Sequence, residues 1–177
     1  LARLKRAGYQ ANIVGGCVRD TLLGRPVHDY DFTTPVNPDQ VERAAREAGR
    51  HPYLAGKRFG TVGFKLPPAA MRTLAGLPQD PAPDTPQAPA LFVEVTTFRS
   101  EEYQPDSRKP LVSFGTSLVE DLSRRDFTIN ALAFDGREVH DPFDGEKDLK
   151  RKVVRAVGDP VARLSEDPLR TLRAARF

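Results

Sequence analysis

Several residue types are scarce in this chain of 177 residues, and each scarcity excludes a class of protein. There is one cysteine, Cys17, which excludes a disulfide framework and a zinc site built from cysteines. The three histidines are scattered along the sequence, which disfavours a histidine-rich metal site. No apolar run approaches the roughly 20 residues that a membrane-spanning helix needs, and no leader-like segment opens the chain. We therefore expect a soluble, cytoplasmic protein with no membrane partner.

Composition and charge are those of a folded domain that can bind anions. Hydrophobic residues make up 39% and charged residues 29%, so a core can form and a disordered tail is excluded as the main structure. The formal net charge is +3, and 20 of the 27 basic residues are arginine, whose planar fork of donors suits phosphates and base edges. This bias is equally typical of a high-GC genome. The position of the arginines is more informative, because they cluster at residues 124–125 and 170–176.

Apolar periodicity and turn residues predict an interleaved series of strands and helices. The predicted strands cover residues 8–14, 29–33, 61–66, 91–98 and 153–157. The predicted helices cover residues 18–23, 37–49 and 117–123, and the pattern is helical from residue 159 onward. This alternation predicts a mixed α/β fold in which helices flank a small sheet.

Two segments are predicted to be loops. Residues 67–90 hold seven of the sixteen prolines, so this stretch cannot pair within a sheet or continue a helix. We expect it to be a surface excursion between two strands. A second, polar loop is predicted over residues 99–109. The chain begins at Leu1 without a methionine and ends at Phe177 within a helical pattern, so we expect it to be a piece of a longer protein.

A pair of carboxylates and a pair of glycines give the first indication of chemistry. Asp29 and Asp31 are separated by one residue on a predicted strand, so their side chains point to the same face. Two adjacent aspartates repel each other, and a hard divalent cation such as Mg²⁺ relieves that repulsion. Gly15 and Gly16 follow a strand and open a helix, where backbone amides can approach a triphosphate closely, and Arg19 can add a contact to the same phosphates. An Asp-x-Asp pair is common in exposed turns, but the two signals together favour a metal–nucleotide site.

Four blocks of sequence carry a resemblance to a known family. They are GGCVRD leading to DYD within residues 15–31, VEVTTFR at 93–99, RRDFTINA at 124–131 and EDPLRTLRAARF at 166–177. In this order and spacing they resemble the class II tRNA CCA-adding enzymes and bacterial poly(A) polymerases, members of the polymerase-β nucleotidyltransferase superfamily. The resemblance spans about residues 10–177 and is interrupted mainly by the proline-rich stretch.

The resemblance implies a fold, an activity and a set of partners. Residues 1–157 would form a polymerase-β-type nucleotidyltransferase head with a small mixed sheet and a proline-rich insertion at about 67–90. Residues 158–177 would be the truncated start of an all-α neck. The implied reaction is template-independent addition of nucleotides from CTP and ATP to the 3′ end of a tRNA, with two Mg²⁺ ions and release of pyrophosphate. The tRNA would be bound mostly by domains outside this chain, and no DNA partner is implied.

The resemblance also implies roles for individual residues. Asp29 and Asp31 would be the catalytic metal ligands. Glu94, on a strand expected beside them, is a candidate third carboxylate, and a structural carboxylate paired with an arginine is the alternative interpretation. The nucleotide would be held by glycines and arginines at positions Gly15, Gly16, Arg19, Arg124, Arg125, Arg173 and Arg176.

Asp167 and Arg170 are the candidates for choosing the base. On a helix, residues three apart share a face. An aspartate accepts from an amino group and an arginine donates to ring or carbonyl acceptors, so the pair would accept cytosine and adenine and reject guanine and uracil. The resemblance implies this role, and a salt bridge on a solvated helix is the structural alternative.

Other functions stay open at this point. Within the family, an enzyme that adds only A and a poly(A) polymerase are alternatives, whereas the full length of the polar loop at 99–110 disfavours an enzyme that adds only CC. A non-catalytic nucleotide- or RNA-binding module is the alternative of another class, and the presence of both aspartates counts against it. A P-loop or Rossmann domain is excluded because neither glycine fingerprint occurs.

Overall fold

The computed structural model describes residues 8–27, 29–66, 90–103 and 110–177. The predicted proline-rich excursion, apart from residue 90, and residues 104–109 of the predicted polar loop lie outside these ranges. Across the described ranges no helix is both long and apolar enough to cross a membrane.

The order of the elements along the chain alternates strands with short helices. The strands are β1 (Asn12–Val14), β2 (Asp29–Thr34), β3 (Thr61–Leu66), β4 (Leu91–Thr97), β5 (Arg99–Glu102), β6 (Leu111–Phe114), β7 (Ala133–Phe134) and β8 (Val139–His140). The helices are α1 (Gly16–Leu22), α2 (Pro38–Glu47), α3 (Leu118–Ser123), α4 (Gly145–Arg151), α5 (Pro160–Glu166) and α6 (Leu169–Arg176). Single 3₁₀ turns lie at Lys57–Phe59 and Thr128–Asn130.

Within the described residues, six strands form one mixed sheet in the order β3-β4-β2-β1-β7-β8. The central pair, β2 and β4, is parallel, whereas the other neighbours are antiparallel. Strands β5 and β6 form a separate hairpin. In the antiparallel pair β3–β4, Leu66 is the register partner of Leu91, at the two ends of the intervening segment. The predicted mixed α/β fold with helices around a small sheet is confirmed.

Side-chain alternation gives the centre of the sheet two different faces. Val93 and Val95 of β4 are buried in an apolar cluster that also contains Val36, Val41 and Val62. Because successive side chains of a strand point to opposite faces, burial of the two valines leaves Glu94 between them on the other face. The same alternation on β2 packs Phe32 against the cluster and leaves Asp29 and Asp31 exposed. The acidic residues therefore share the face opposite the apolar cluster.

Two predictions about strands were wrong. Residues 153–157 do not form a strand: they make a single β-bridge, between Ala156 and Phe127. Around this bridge the Thr128 amide donates to the Arg155 carbonyl and the Val157 amide donates to the Asp126 carbonyl. Directly after Phe127 the chain forms the 3₁₀ turn Thr128–Asn130, so the two segments cannot continue to pair. The predicted polar loop at 99–109 begins as a strand, because Arg99–Glu102 pairs with Leu111–Phe114.

The helical pattern after residue 159 is also interrupted. Asp167 has an extended backbone conformation, with φ of −146° and ψ of 109°, and it separates α5 from α6. The cause is Pro168, whose ring sterically disfavours the helical conformation for the preceding residue. Asp167 and Arg170 therefore do not lie on one continuous helix, contrary to the prediction.

Candidate functional site

An open cleft of about 640 Å³ brings together residues from both ends of the chain. Its walls come from the β1–α1 turn, the start of β2, the turn after α3 and the helix α6. Every residue predicted for the site except Glu94 lines it, namely Gly15, Gly16, Arg19, Asp29, Asp31, Arg124, Arg125, Asp167, Arg170, Arg173 and Arg176. Glu94 lies on the strand beside Asp31 but outside the lining.

The carboxylates at the edge of the cleft form an acidic group on one face of the sheet. Asp31 is the register partner of Glu94 in the parallel pair β2–β4, and Asp29 lies two residues before Asp31 on the same face. Desolvation raises the pKa of Asp31, the Arg125 guanidinium lowers it, and the charge of Asp29 raises it again. Desolvation also raises the pKa of Glu94, as do the charges of Asp31 and Asp29. Mutually repelling oxygen donors are the set that fits Mg²⁺.

The turn between β1 and α1 requires glycine for two reasons. Gly15 has φ of +78°, a conformation that residues with a side chain rarely adopt. A Cβ atom at this position would lie 2.8 Å from Nη1 of Arg125. The Gly15 amide donates to the Leu132 carbonyl at 3.0 Å, which fixes the turn against the segment that carries Arg125. The glycine therefore lets the guanidinium pack directly on the turn.

Changing Gly15 to alanine is expected to displace Arg125 and to lower nucleotide affinity. Backbone strain alone costs about 1–3 kcal/mol of unfolding free energy. Gly49→Ala is the matched control, because Gly49 also has a positive φ, of +70°, but a Cβ added there would meet nothing within 4 Å. Urea unfolding and CTP binding would be measured for both variants. If Gly49→Ala weakened CTP binding as much as Gly15→Ala, the contact with Arg125 would not be the cause.

A chain of hydrogen bonds links the first helix to the last one across the cleft. Arg19 donates from Nη1 to Oδ1 of Asn130 at 2.7 Å, and Asn130 donates from Nδ2 to Oδ1 of Asp126 at 3.1 Å. The other carboxylate oxygen of Asp126 accepts from Nε of Arg173 at 2.6 Å. The guanidinium of Arg19 also lies 4.7 Å from the ring centroid of Phe177. The position of Arg19 therefore depends on residues far away in the sequence and on its neighbour Asp20, whose carboxylate accepts from Nε and Nη2 at 2.9 Å each.

A fully buried carboxylate, Asp121, orients the arginine pair after α3. Its Oδ1 accepts from Nε of Arg124 at 3.0 Å and from Nη2 of the same residue at 2.9 Å. Its Oδ2 accepts from the hydroxyl of Thr33 at 3.0 Å and lies 3.8 Å from Nη2 of Arg125. Sequence reasoning missed Asp121. The signal available was its spacing, three and four residues before two consecutive arginines, which is the spacing of ion pairs on a helix.

A second acidic residue that sequence reasoning missed, Glu101, connects the β5–β6 hairpin to the cleft. Its side chain is only 6% exposed, and Oε1 accepts from Nε of Arg99 and from Nη1 of Arg124, each at 2.9 Å. Its Oε2 accepts from the Tyr103 hydroxyl at 3.0 Å. Desolvation, assisted by the charge of Glu101, raises the pKa of Tyr103 to about 12. Tyr103 is therefore a neutral hydrogen-bond donor at physiological pH.

The helices α5 and α6 are held to the end of α3 by arginines that donate to backbone carbonyls. Arg163 donates from Nη2 to the Ser123 carbonyl at 2.9 Å and from Nη1 to the Arg124 carbonyl at 3.3 Å. Arg170 donates to the same Arg124 carbonyl at 3.3 Å and forms an ion pair with Glu166. Arg170 is only 6% exposed, so its guanidinium is fixed by these contacts.

Asp167 lies at the start of α6, where its Oδ1 accepts from the Leu169 amide at 3.1 Å. This is the hydrogen bond of an Asx turn that leads into the helix, and it satisfies an amide that has no partner inside the helix. Asp167 and Arg170 both line the cleft, although they do not share a helix face. The structure therefore brings the two residues to one cavity by a different local geometry from the one predicted.

Comparison with known proteins gives agreement in sequence and in fold. A family model described as the poly A polymerase head domain matches residues 11–155. The CCA-adding enzyme of Limosilactobacillus fermentum is 43% identical over 180 residues, which is 100% of this chain and 38% of that protein. The crystal structure of Bacillus stearothermophilus CCA-adding enzyme in complex with CTP has a TM-score of 0.74 at 36% identity, covering 100% of this chain and 36% of that chain.

A second solved structure, of a tRNA nucleotidyltransferase complexed with a primer tRNA and an incoming ATP analog, has a TM-score of 0.66 at 33% identity. It is matched over 99% of this chain and 43% of its own. The chain thus spans less than half the length of the relatives it matches. Because the family model covers most of the chain and the agreement in sequence extends over all of it, the chain belongs to the poly A polymerase head domain family.

Proposed function

We propose that this chain is the catalytic head and the start of the neck of a template-independent tRNA nucleotidyltransferase. It would add nucleotides from CTP and ATP to the 3′ end of a tRNA and release pyrophosphate. The observation that carries this proposal is the position of Asp29 and Asp31 at the edge of a cleft whose other walls carry arginines. The relatives named as CCA-adding enzymes, and the solved complexes with CTP and with an ATP analog and a primer tRNA, support it.

Asp29 and Asp31, with Glu94 beside them, would hold the metal ions. Bound Mg²⁺ would supply charge stabilisation of the attacking and leaving oxygens and a lower pKa for the attacking hydroxyl. The acidic residues contribute by lying on one face of the sheet, where the strand pairing already places them beside one another before substrate binds. Parallel pairing of β2 and β4 is what fixes Asp31 and Glu94 in register.

The arginines would position the triphosphate and stabilise its negative charge. Phosphoryl-type transfer needs little covalent chemistry from the protein and depends on positioning and electrostatics. Arg19 is oriented by Asn130, and Arg124 is oriented by Asp121 and Glu101. Fixed guanidinium groups lose less freedom when a nucleotide binds, which favours tight binding.

Asp167 and Arg170 would select the base. Asp167→Asn is the sharpest test, because asparagine keeps an oxygen that can accept from the Leu169 amide and replaces the other oxygen by a donor. We expect UTP and GTP to gain relative to CTP and ATP by roughly 5- to 150-fold in kcat/KM, the equivalent of about 1–3 kcal/mol.

The matched control for this prediction is Asp159→Asn. Asp159 also precedes a helix and accepts from a backbone amide there, that of Ala162 at 2.8 Å, and it is not among the residues that line the cleft. All four NTPs would be compared on one primer tRNA with each variant. An unchanged ratio of CTP to UTP use in Asp167→Asn would show that Asp167 only stabilises the turn before its helix.

The experiment that tests the function uses the full-length protein with three tRNA substrates. These lack the whole CCA end, its last two nucleotides, or only its terminal A, and one labelled NTP is supplied at a time. A CCA-adding enzyme extends all three with the correct nucleotide and then stops. An A-only enzyme extends only the third, a poly(A) polymerase continues past one A, and a binding module extends none. Any of these last three results would overturn the proposal.

A further inference from the structure

The β7–β8 hairpin lies at the edge of the sheet, and none of its residues lines the catalytic cleft. Its turn is closed by a hydrogen bond from the Asp135 amide to the Glu138 carbonyl at 3.3 Å. The Oδ1 atom of Asp135 accepts from the amides of Arg137 at 2.7 Å and Glu138 at 3.0 Å. These bonds fix the carboxylate of Asp135, so its second oxygen has a defined position above the hairpin.

Two further side chains converge on that carboxylate. Glu138 and His140 are two residues apart, so in the extended arm of the hairpin they point to the same side. Nε2 of His140 lies 3.2 Å from Oδ2 of Asp135. Among the described residues, Asp135, Glu138 and His140 form the group of three potential ligands whose donor atoms all lie within 4.8 Å of one another.

The spacing agrees with shared coordination of one ion. Two ligand atoms each about 2.0–2.1 Å from a metal are separated by roughly 2.9 Å at a right angle and 3.4 Å at a tetrahedral angle. The distance of 3.2 Å between His140 and Asp135 falls between these values. Nε2 of His140 is shielded from solvent and, in the part of the chain that the structure describes, pairs with Oδ2 of Asp135. A metal ion would replace a proton shared by these two atoms and take both of them as ligands.

We propose that Asp135, Glu138 and His140 form a second metal site, which takes a borderline divalent ion such as Zn²⁺. One imidazole and two carboxylates match the donor preference of zinc, whereas Mg²⁺ prefers oxygen donors alone. Three protein ligands leave coordination positions for water. The ion would cross-link the two arms of the hairpin. Because β7 pairs with β1, which leads into the Gly15 turn, the cross-link would stabilise the edge of the sheet that supports this turn.

The test is a zinc titration of the whole chain that carries Asp31→Asn, which weakens metal binding in the cleft. We expect one equivalent to bind by calorimetry and Tm to rise by roughly 5–10 °C when free zinc exceeds Kd 100-fold. Co²⁺ should give the visible absorption of a nitrogen–oxygen site. His140→Gln should weaken zinc binding by at least about 10-fold and remove the shift in Tm.

Two other variants complete the experiment. Glu138→Gln changes an exposed side chain with no described role in the fold, and it should weaken binding in the same way. His51→Gln removes an exposed histidine from another part of the chain and should leave Kd unchanged. The proposal would be overturned if His140→Gln and Glu138→Gln bound zinc as tightly as the Asp31→Asn parent does. It would also be overturned if the parent bound no zinc. In either case Asp135 and His140 would form only an ion pair.

Discussion

Replacement of Asp31 by asparagine is expected to lower the rate of nucleotide addition by at least about 10³-fold while the fold is retained. Asparagine has nearly the same shape but lacks the charge that would hold a divalent ion. Asp31 is exposed at the edge of the cleft, so the substitution opens no cavity. Single-turnover addition to a primer tRNA in the presence of Mg²⁺ would measure the loss. The matched control is Asp39→Asn, which removes an exposed aspartate from α2 on another part of the surface and should leave the rate unchanged.

The same substitution is expected to raise Tm in the absence of metal. The pKa of Asp31 is raised in the folded protein, first by desolvation and then by the charge of Asp29 in spite of Arg125. A carboxyl with a raised pKa destabilises the fold once it ionises, so this destabilisation is present above the folded pKa and disappears as pH falls below the ordinary value of 3.8. The difference in Tm between variant and wild type should therefore shrink at acidic pH. An Asp31→Asn protein that adds nucleotides at the wild-type rate would contradict the metal-ligand role.

Replacement of Asp121 by alanine is expected to destabilise the protein by about 3–5 kcal/mol, because it removes a fully buried carboxylate from two largely covered arginines. Arg124 would keep its ion pair with Glu101, whereas Arg125 would lose its carboxylate partner at this position. The carboxylate has no solvent exposure, and Arg124, Thr33 and the Arg99 amide all donate to it. The free energy of unfolding of Asp121→Asn should lie between those of Asp121→Ala and the wild type, since asparagine keeps a hydrogen-bond acceptor but lacks the charge. Urea unfolding of both variants would measure the effect.

Glu120→Gln is the neighbouring control for this prediction. Glu120 is the preceding residue and is exposed, so its substitution should change stability by no more than about 0.5 kcal/mol. Variants of Asp121 that still fold should bind CTP more weakly, because Arg125 loses the carboxylate beside it and Arg124 loses one of the two that orient it. Wild-type stability in Asp121→Ala would show that the arginine pair is held by other contacts.

The parts of the fold that local patterns could predict were those in which burial follows the periodicity of the chain. The predicted strand at 61–66 agrees with β3 at both ends, because Val62, Phe64 and Leu66 recur at every second position and pack on the apolar cluster. The helix α2 was also recognisable, since Asn37 caps it and Pro38 occupies its first position. The placement of Asp29 and Asp31 on one face was predictable because they are two residues apart on a strand.

The parts that could not be predicted depend on contacts between distant residues. Arg19 and Asn130 are separated by 111 positions, and no local pattern indicates that one orients the other. The acceptors Asp121 and Glu101 resemble ordinary surface acids in the sequence and become buried only when α3 and the β5–β6 hairpin pack together. The segment 153–157 has the composition of a strand, but the 3₁₀ turn opposite it ends the pairing after one bridge. In these cases tertiary packing, and not local propensity, determined the conformation and the burial of the residues.

The pairing of Leu66 with Leu91 has a consequence for protein engineering. The chain leaves the sheet and returns to it at two residues that face each other across the β3–β4 ladder. The ladder therefore brings these two residues together whatever the number of residues between them. The entropy of closing a longer loop rises only with the logarithm of its length, by about 0.6 kcal/mol for each doubling. This junction is thus a natural site for accepting a guest domain, such as a fluorescent reporter, because both of its ends would enter and leave the host at adjacent points.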